Sequence, residues 1–68
     1  MRKSESARYR AKILSLIKSN LGVVTTTEVA AQFKISWNTA EKYLLELALD
    51  NQVVRVKKAG VNLWVLKR

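Results

Sequence analysis

Apolar residues in the first third of the chain recur at spacings of three and four: Tyr9, Ile13, Leu16, Ile17 and Leu21. That period predicts a helix from about Ser6 with one apolar face. Gly22 follows the last periodic position and is the expected left-handed residue of a C-terminal cap. Val23 and Val24 then make a very short extended piece. In "TTTE", Thr25 as N-cap and Glu28 three residues on form a capping box. A second helix is therefore expected over about 26–33, burying Val29, Ala30 and Phe33. "KIS" reads as a turn, and Ser36 as a second N-cap. The third helix is expected from Trp37 to about Asp50, with Ala40, Tyr43, Leu44 and Leu47 as its inner stripe. Ile35 is placed to staple onto Ala40, and Asn51 is the expected stop.

The period then changes from about 3.6 to 2. Val54, Arg55, Val56 and Lys57 alternate, and "KKAG" supplies a turn. Gly60 is expected at positive φ in a type I turn plus bulge. Asn62 to Leu66 returns as a second strand, with Trp64 and Leu66 toward the helices. Leu45, Ala48 and Leu49 have no place in the third helix's core stripe. They either cover the base of the hairpin or form a homodimer seam.

With 68 residues the chain is one small domain, residues 6–68, behind a flexible basic arm, residues 1–5. Such a domain buries only about 60% of its unfolded surface and is marginal alone. The sequence has no Cys and no His, so disulfides and thiolate or imidazole metal sites are excluded. An apolar fraction of 49% is enough for a core. No apolar run approaches the roughly 18 residues of a membrane span, and no apolar segment follows the basic start as in a signal peptide. A soluble, intracellular (cytoplasmic) protein is expected.

The net charge is +8 and the pI about 10.3, which favours a polyanionic partner. Its distribution is uneven. Residues 1–20 carry Arg2, Lys3, Arg8, Arg10, Lys12 and Lys18 against Glu5. Residues 21–52 carry Lys34 and Lys42 against Glu28, Glu41, Glu46 and Asp50. Residues 53–68 carry Arg55, Lys57, Lys58, Lys67 and Arg68 against no acid. The bland reading is a solubilising surface. The sharper reading is two phosphate-gripping flanks around a nearly neutral reading element.

Three helices followed by a two-stranded hairpin with a basic tip resemble a winged helix-turn-helix domain, an α+β fold. The resemblance covers about residues 6–67. It rests on "TTTEVAAQFKIS", on "SWNTAEKYLLEL" and on "NQVVRVKKAGVNLWVL". Ser36, Thr39, Ala40, Leu44 and Leu47 match the superfamily's pattern for its third helix, and Trp64 and Leu66 that of its returning wing strand. The chain is similar to small prokaryotic, archaeal or archaeal-virus regulators. It departs from the pattern where "FKIS" lacks a Gly and where Asn51 stands at the helix exit; Asn also tolerates the left-handed region.

The resemblance implies double-stranded DNA as partner and transcriptional regulation as function. The third helix would enter the major groove. Its Asn38 and Lys42 then point outward, Asn38 as an adenine reader or a solvated helix residue, Lys42 toward guanine or phosphate. Ser36 and Thr39 lie where phosphates approach a helix N-terminus, although a plain N-cap explains Ser36 equally. Trp37 either packs between the second and third helices or lies on DNA. Glu41 either accepts from cytosine N4 or pairs with Lys34 or another base. Arg55, Lys57 and Lys58 on the wing, and Arg2 and Lys3 in the arm, are the expected backbone contacts. No cofactor, metal or small-molecule substrate is expected. An enzyme is disfavoured, because the usual nucleophiles and bases are missing. The competing function is a winged-helix protein-docking module, favoured by the near-neutral third helix and the surplus Leu.

Overall fold

The computed structural model describes residues 5–67 of the chain. Its elements are α1 (Glu5–Ser19), β1 (Val23–Thr25), α2 (Thr26–Phe33), α3 (Trp37–Leu49), β2 (Val53–Lys58) and β3 (Val61–Leu66). These are the three helices and the hairpin wing that the periodicity predicts.

The caps set the helix boundaries. Thr25 accepts from the Glu28 amide at 3.1 Å, and Glu28 accepts from the Thr25 amide at 2.8 Å. Both halves of the capping box are present. Lys34 takes the glycine position of the following turn at φ 55°, its N–H donating to Ala30 and Ala31. Asn51 ends α3 in the left-handed region, φ 61°.

The end of α1 differs from expectation. Leu21 is not part of the apolar stripe: it is 96% exposed with φ 64°. Gly22 donates to the Ile17 carbonyl at 2.8 Å, a bond that spans the cap from one residue further on. Leu21 thus occupies the left-handed C′ position expected for Gly22, and Gly22 follows with φ 85°. The helical period cannot detect this, because Leu21 is also four residues beyond Ile17.

The short extended piece is a third strand. The sheet order is β1-β3-β2, antiparallel throughout, with Val24 opposite Trp64 and Arg55 opposite Trp64 on the other side. The turn of the wing also departs from the expected type I turn plus bulge. Lys58 pairs with Val61, so the loop is only Ala59 and Gly60, at φ 52° and 78°. Positive φ at both positions is the type I′ signature, whose twist matches that of the strands.

One face of the sheet meets the helices. The buried core is Ile13, Ile17, Val24, Val29, Ala40, Tyr43, Leu44, Leu47, Val53 and Trp64. Tyr9 stacks on Tyr43 (centroids 5.2 Å apart) and meets Phe33 edge-on at 6.1 Å, so one ring of α1 locks α2 and α3. Arg10 of α1 reaches Glu46 of α3 at 3.3 Å in a half-exposed ion pair. No helix among the described residues is long and apolar enough to cross a membrane.

Candidate nucleic-acid interface

Ser36 opens α3 as an N-cap. Its Oγ accepts from the Thr39 amide at 3.1 Å and donates to Thr39 Oγ1 at 2.8 Å. The two hydroxyls are turned on each other, and this fixes the first turn of the helix. Ala40, Tyr43, Leu44 and Leu47 are buried, as the stripe predicts. At about 100° per residue the opposite face then carries Asn38 and Lys42, four apart and both exposed. The same stripe continues into Leu45 and Leu49, 39% and 84% exposed. Neither belongs to the core or packs against it; Ala48 alone of the three surplus residues packs on the core.

Trp37 is 47% exposed. It borders a cleft of about 180 Å³ with Thr25, Thr26 and Thr27 at the start of α2 and Gly60, Val61 and Asn62 in the wing. Trp37 thus lines the cleft that separates the start of α2 from the wing turn.

Glu41 is half-buried and has a neutral partner instead of Lys34. The Trp64 Nε1–H donates to Thr26 Oγ1 at 2.8 Å, and the Thr26 hydroxyl donates to Glu41 Oε1 at 3.1 Å. This relay joins the wing to α2 and α3. Thr26, the buried polar residue at its centre, was not legible as a site residue. In the sequence it reads only as the residue after an N-cap, and its partners lie 15 and 38 positions away.

The wing lysines are exposed but divided. Lys57 faces Asn62 across the ladder and Lys58 faces Val61, so adjacent positions put them on opposite faces of the sheet. Lys57 shares the helix-side face with Arg55, whose guanidinium lies 6.0 Å from the Trp64 ring centroid. Lys58 lies on the outer face. Arg2 and Lys3 fall outside the described residues. Among the described residues no group of three or more metal-ligating acidic side chains occurs.

No protein-family model and no curated protein matches the chain. Among solved structures, it is similar to the Zalpha domain from Carassius auratus PKZ in complex with Z-DNA. The TM-score is 0.83 at 22% identity, over 93% of this chain and 98% of that one. The likeness shows the fold alone: three helices and a hairpin wing in the arrangement of a winged helix-turn-helix fold.

Proposed function

We propose that the chain binds double-stranded DNA and acts as a transcriptional regulator inside the cell. In this reading α3 enters the major groove, and the wing and N-terminal arm hold the backbone. The observation that carries it is the exposed pair Asn38 and Lys42 on the outer face of α3, in a domain of net charge +8. Asn38 reads adenine and Lys42 guanine or phosphate. Ser36 and Thr39 bring the helix N-terminus to a phosphate. Trp37 lies on the backbone beside the wing, and Arg55, Lys57, Lys58, Arg2 and Lys3 neutralise phosphates. Glu41, engaged by Thr26, shapes the reading helix and leaves base contact to its neighbours. The fold neighbour's complex with Z-DNA supports a nucleic-acid partner and adds left-handed duplex to the probes.

The test is a titration with random, selected and Z-forming duplexes at two salt concentrations. Binding should weaken steeply with salt, by roughly −0.9 in log–log slope per neutralised phosphate. Absence of binding at low salt excludes the reading. It would favour docking of a protein on α3, which the exposure of Leu45 and Leu49 supports.

A further inference from the structure

Trp37, the first residue of α3, leaves its large ring half in water and neither belongs to the core nor packs against it. Tryptophan is highly buried on average, so this exposure asks for a use. The cleft beside it is about 180 Å³. That is below the roughly 300–1,000 Å³ of pockets for drug-sized ligands, and it suits one planar ring of nucleobase size. Its other walls are Thr25, Thr26 and Thr27 of the α2 start and Gly60, Val61 and Asn62 of the wing, none of them charged. The Thr26 hydroxyl is engaged by Trp64 and Glu41. The Thr27 hydroxyl and the Asn62 amide take part in no hydrogen bond among the described residues.

Charge flanks this cleft. Asn62 pairs across the ladder with Lys57, and Arg55 lies two residues before Lys57 on the same face of the sheet. Both basic side chains are exposed. An aromatic rim, neutral hydrogen-bonding walls and adjacent cations together match a nucleotide. The ring stacks on the indole, its edge meets Thr27 and Asn62, and its phosphate meets Lys57. A phosphate alone has no use for the indole. A base inside an intact duplex cannot enter, because its neighbours cover both faces. Stacking on an aromatic side chain is worth roughly 5- to 150-fold in binding per base. Unpairing and unstacking a base in an intact duplex costs a comparable factor or more. The cleft therefore gains little by extruding a paired base and most by receiving one that is already unpaired.

We infer that the cleft bounded by Trp37, the start of α2 and the wing turn captures one unpaired base of DNA, stacked on Trp37. The domain then prefers a duplex with a bulged nucleotide to a fully paired one. This rests on the DNA-binding reading and specifies its substrate: the strand whose backbone meets Trp37 and Lys57 presents an unpaired base there. Every base has a π-face, so capture tolerates sequence, and Thr27 and Asn62 grade the bases by their edges.

The experiment compares three duplexes of one sequence at low salt: fully paired, with a single bulged 2-aminopurine, and with an abasic residue at the bulge. Anisotropy should show the bulged base bound at least about 5-fold tighter than the other two. The 2-aminopurine fluorescence should fall as its ring stacks on the indole. Trp37→Leu should abolish both the preference and the quenching, and Trp37→Phe should keep part of each. Thr27→Ile keeps the indole but fills the cleft from the opposite wall, and should also abolish the preference. Thr27 is exposed, so circular dichroism should show an unchanged fold. A bulged base bound no better than the paired duplex overturns the inference. So does an abasic bulge bound as tightly as the base, or a preference that survives both Trp37→Leu and Thr27→Ile. In those cases duplex is still bound and the DNA-binding reading stands. Binding of none of the three removes both. Binding of the bulged base alone keeps the cleft and removes the duplex reading.

Discussion

Trp64 and Thr26 are 38 residues apart in sequence and 2.8 Å apart in space, indole Nε1–H to hydroxyl oxygen. The indole is fully buried, so its N–H has to find an acceptor inside the protein. Thr26 supplies it, and its own hydroxyl donates a hydrogen bond to Glu41. One hydroxyl thus accounts for two polar groups that burial would otherwise penalise.

Thr26→Val keeps the shape and removes both bonds. It should destabilise the domain by about 1–3 kcal/mol, because the Trp64 N–H is left without a partner. Thr26→Ser should recover most of that. Urea unfolding of the three proteins decides the matter; equal midpoints for Val and Thr would mean that water serves the indole equally well.

Trp64→Ala should unfold the domain. The side chain is the largest fully buried one, and aromatic-to-Ala changes in a core cost about 3–5 kcal/mol. That is much of what a domain of this size has. Thermal melting is the measurement, and an unshifted transition would contradict the burial.

Leu21 and Lys34 hold left-handed conformations that a side chain makes unfavourable. Leu21→Gly and Lys34→Gly should each stabilise, since relief of the left-handed strain, about 1–2 kcal/mol, exceeds the entropic cost of Gly, about 0.5–1 kcal/mol, with nearly additive effects because the sites are separate. Lys34→Val should destabilise, since a β-branched residue tolerates this region worst. Chemical denaturation of the set would show whether the turn "FKIS" forms at a cost.

Grip and reading separate by salt. Lys57→Ala with Lys58→Ala should weaken all duplexes alike and flatten the log–log salt slope by up to about 2. The opposite faces of the two lysines predict unequal single effects, with Lys57 the larger, because it shares a face with Arg55. Asn38→Ala should leave the slope unchanged and cost roughly 1–3 kcal/mol on the selected site alone. Anisotropy titrations at several salt concentrations measure both. If site preference survives Asn38→Ala, Lys42 and Trp37 are next, and shape readout after them.

What the sequence made legible was local. The Thr25–Glu28 box, the Ser36 cap and the Asn51 stop are set by residues within a turn of each other, and they stand where expected. The outward pair Asn38 and Lys42 followed from the helical angle once Ala40 was taken as buried. Trp64 facing the helices followed from a period of two. What was not legible depends on distant partners. Three residues of β1 have no periodicity to read, and only β3 makes them a strand. The engagement of Glu41 by Thr26 required the wing to be placed first. The apolar row Val54, Val56, Leu63 and Val65 stayed hidden because the opposite face of the same strands also carries Val53, Trp64 and Leu66.

The strand order β1-β3-β2 has a consequence for how the molecule comes into being. β3 is the last of the described elements and the middle of the sheet. Until Val61–Leu66 has left the ribosome, β1 and β2 have no shared neighbour, and Trp64 is not yet there to fill the space beneath the helices. The early helices can form as they emerge, but their apolar faces stay open to water. Final closure is therefore a single late event, driven by contacts between residues some forty positions apart. A chain truncated before β3 would have three helices, no sheet and an exposed interior, a natural substrate for chaperones.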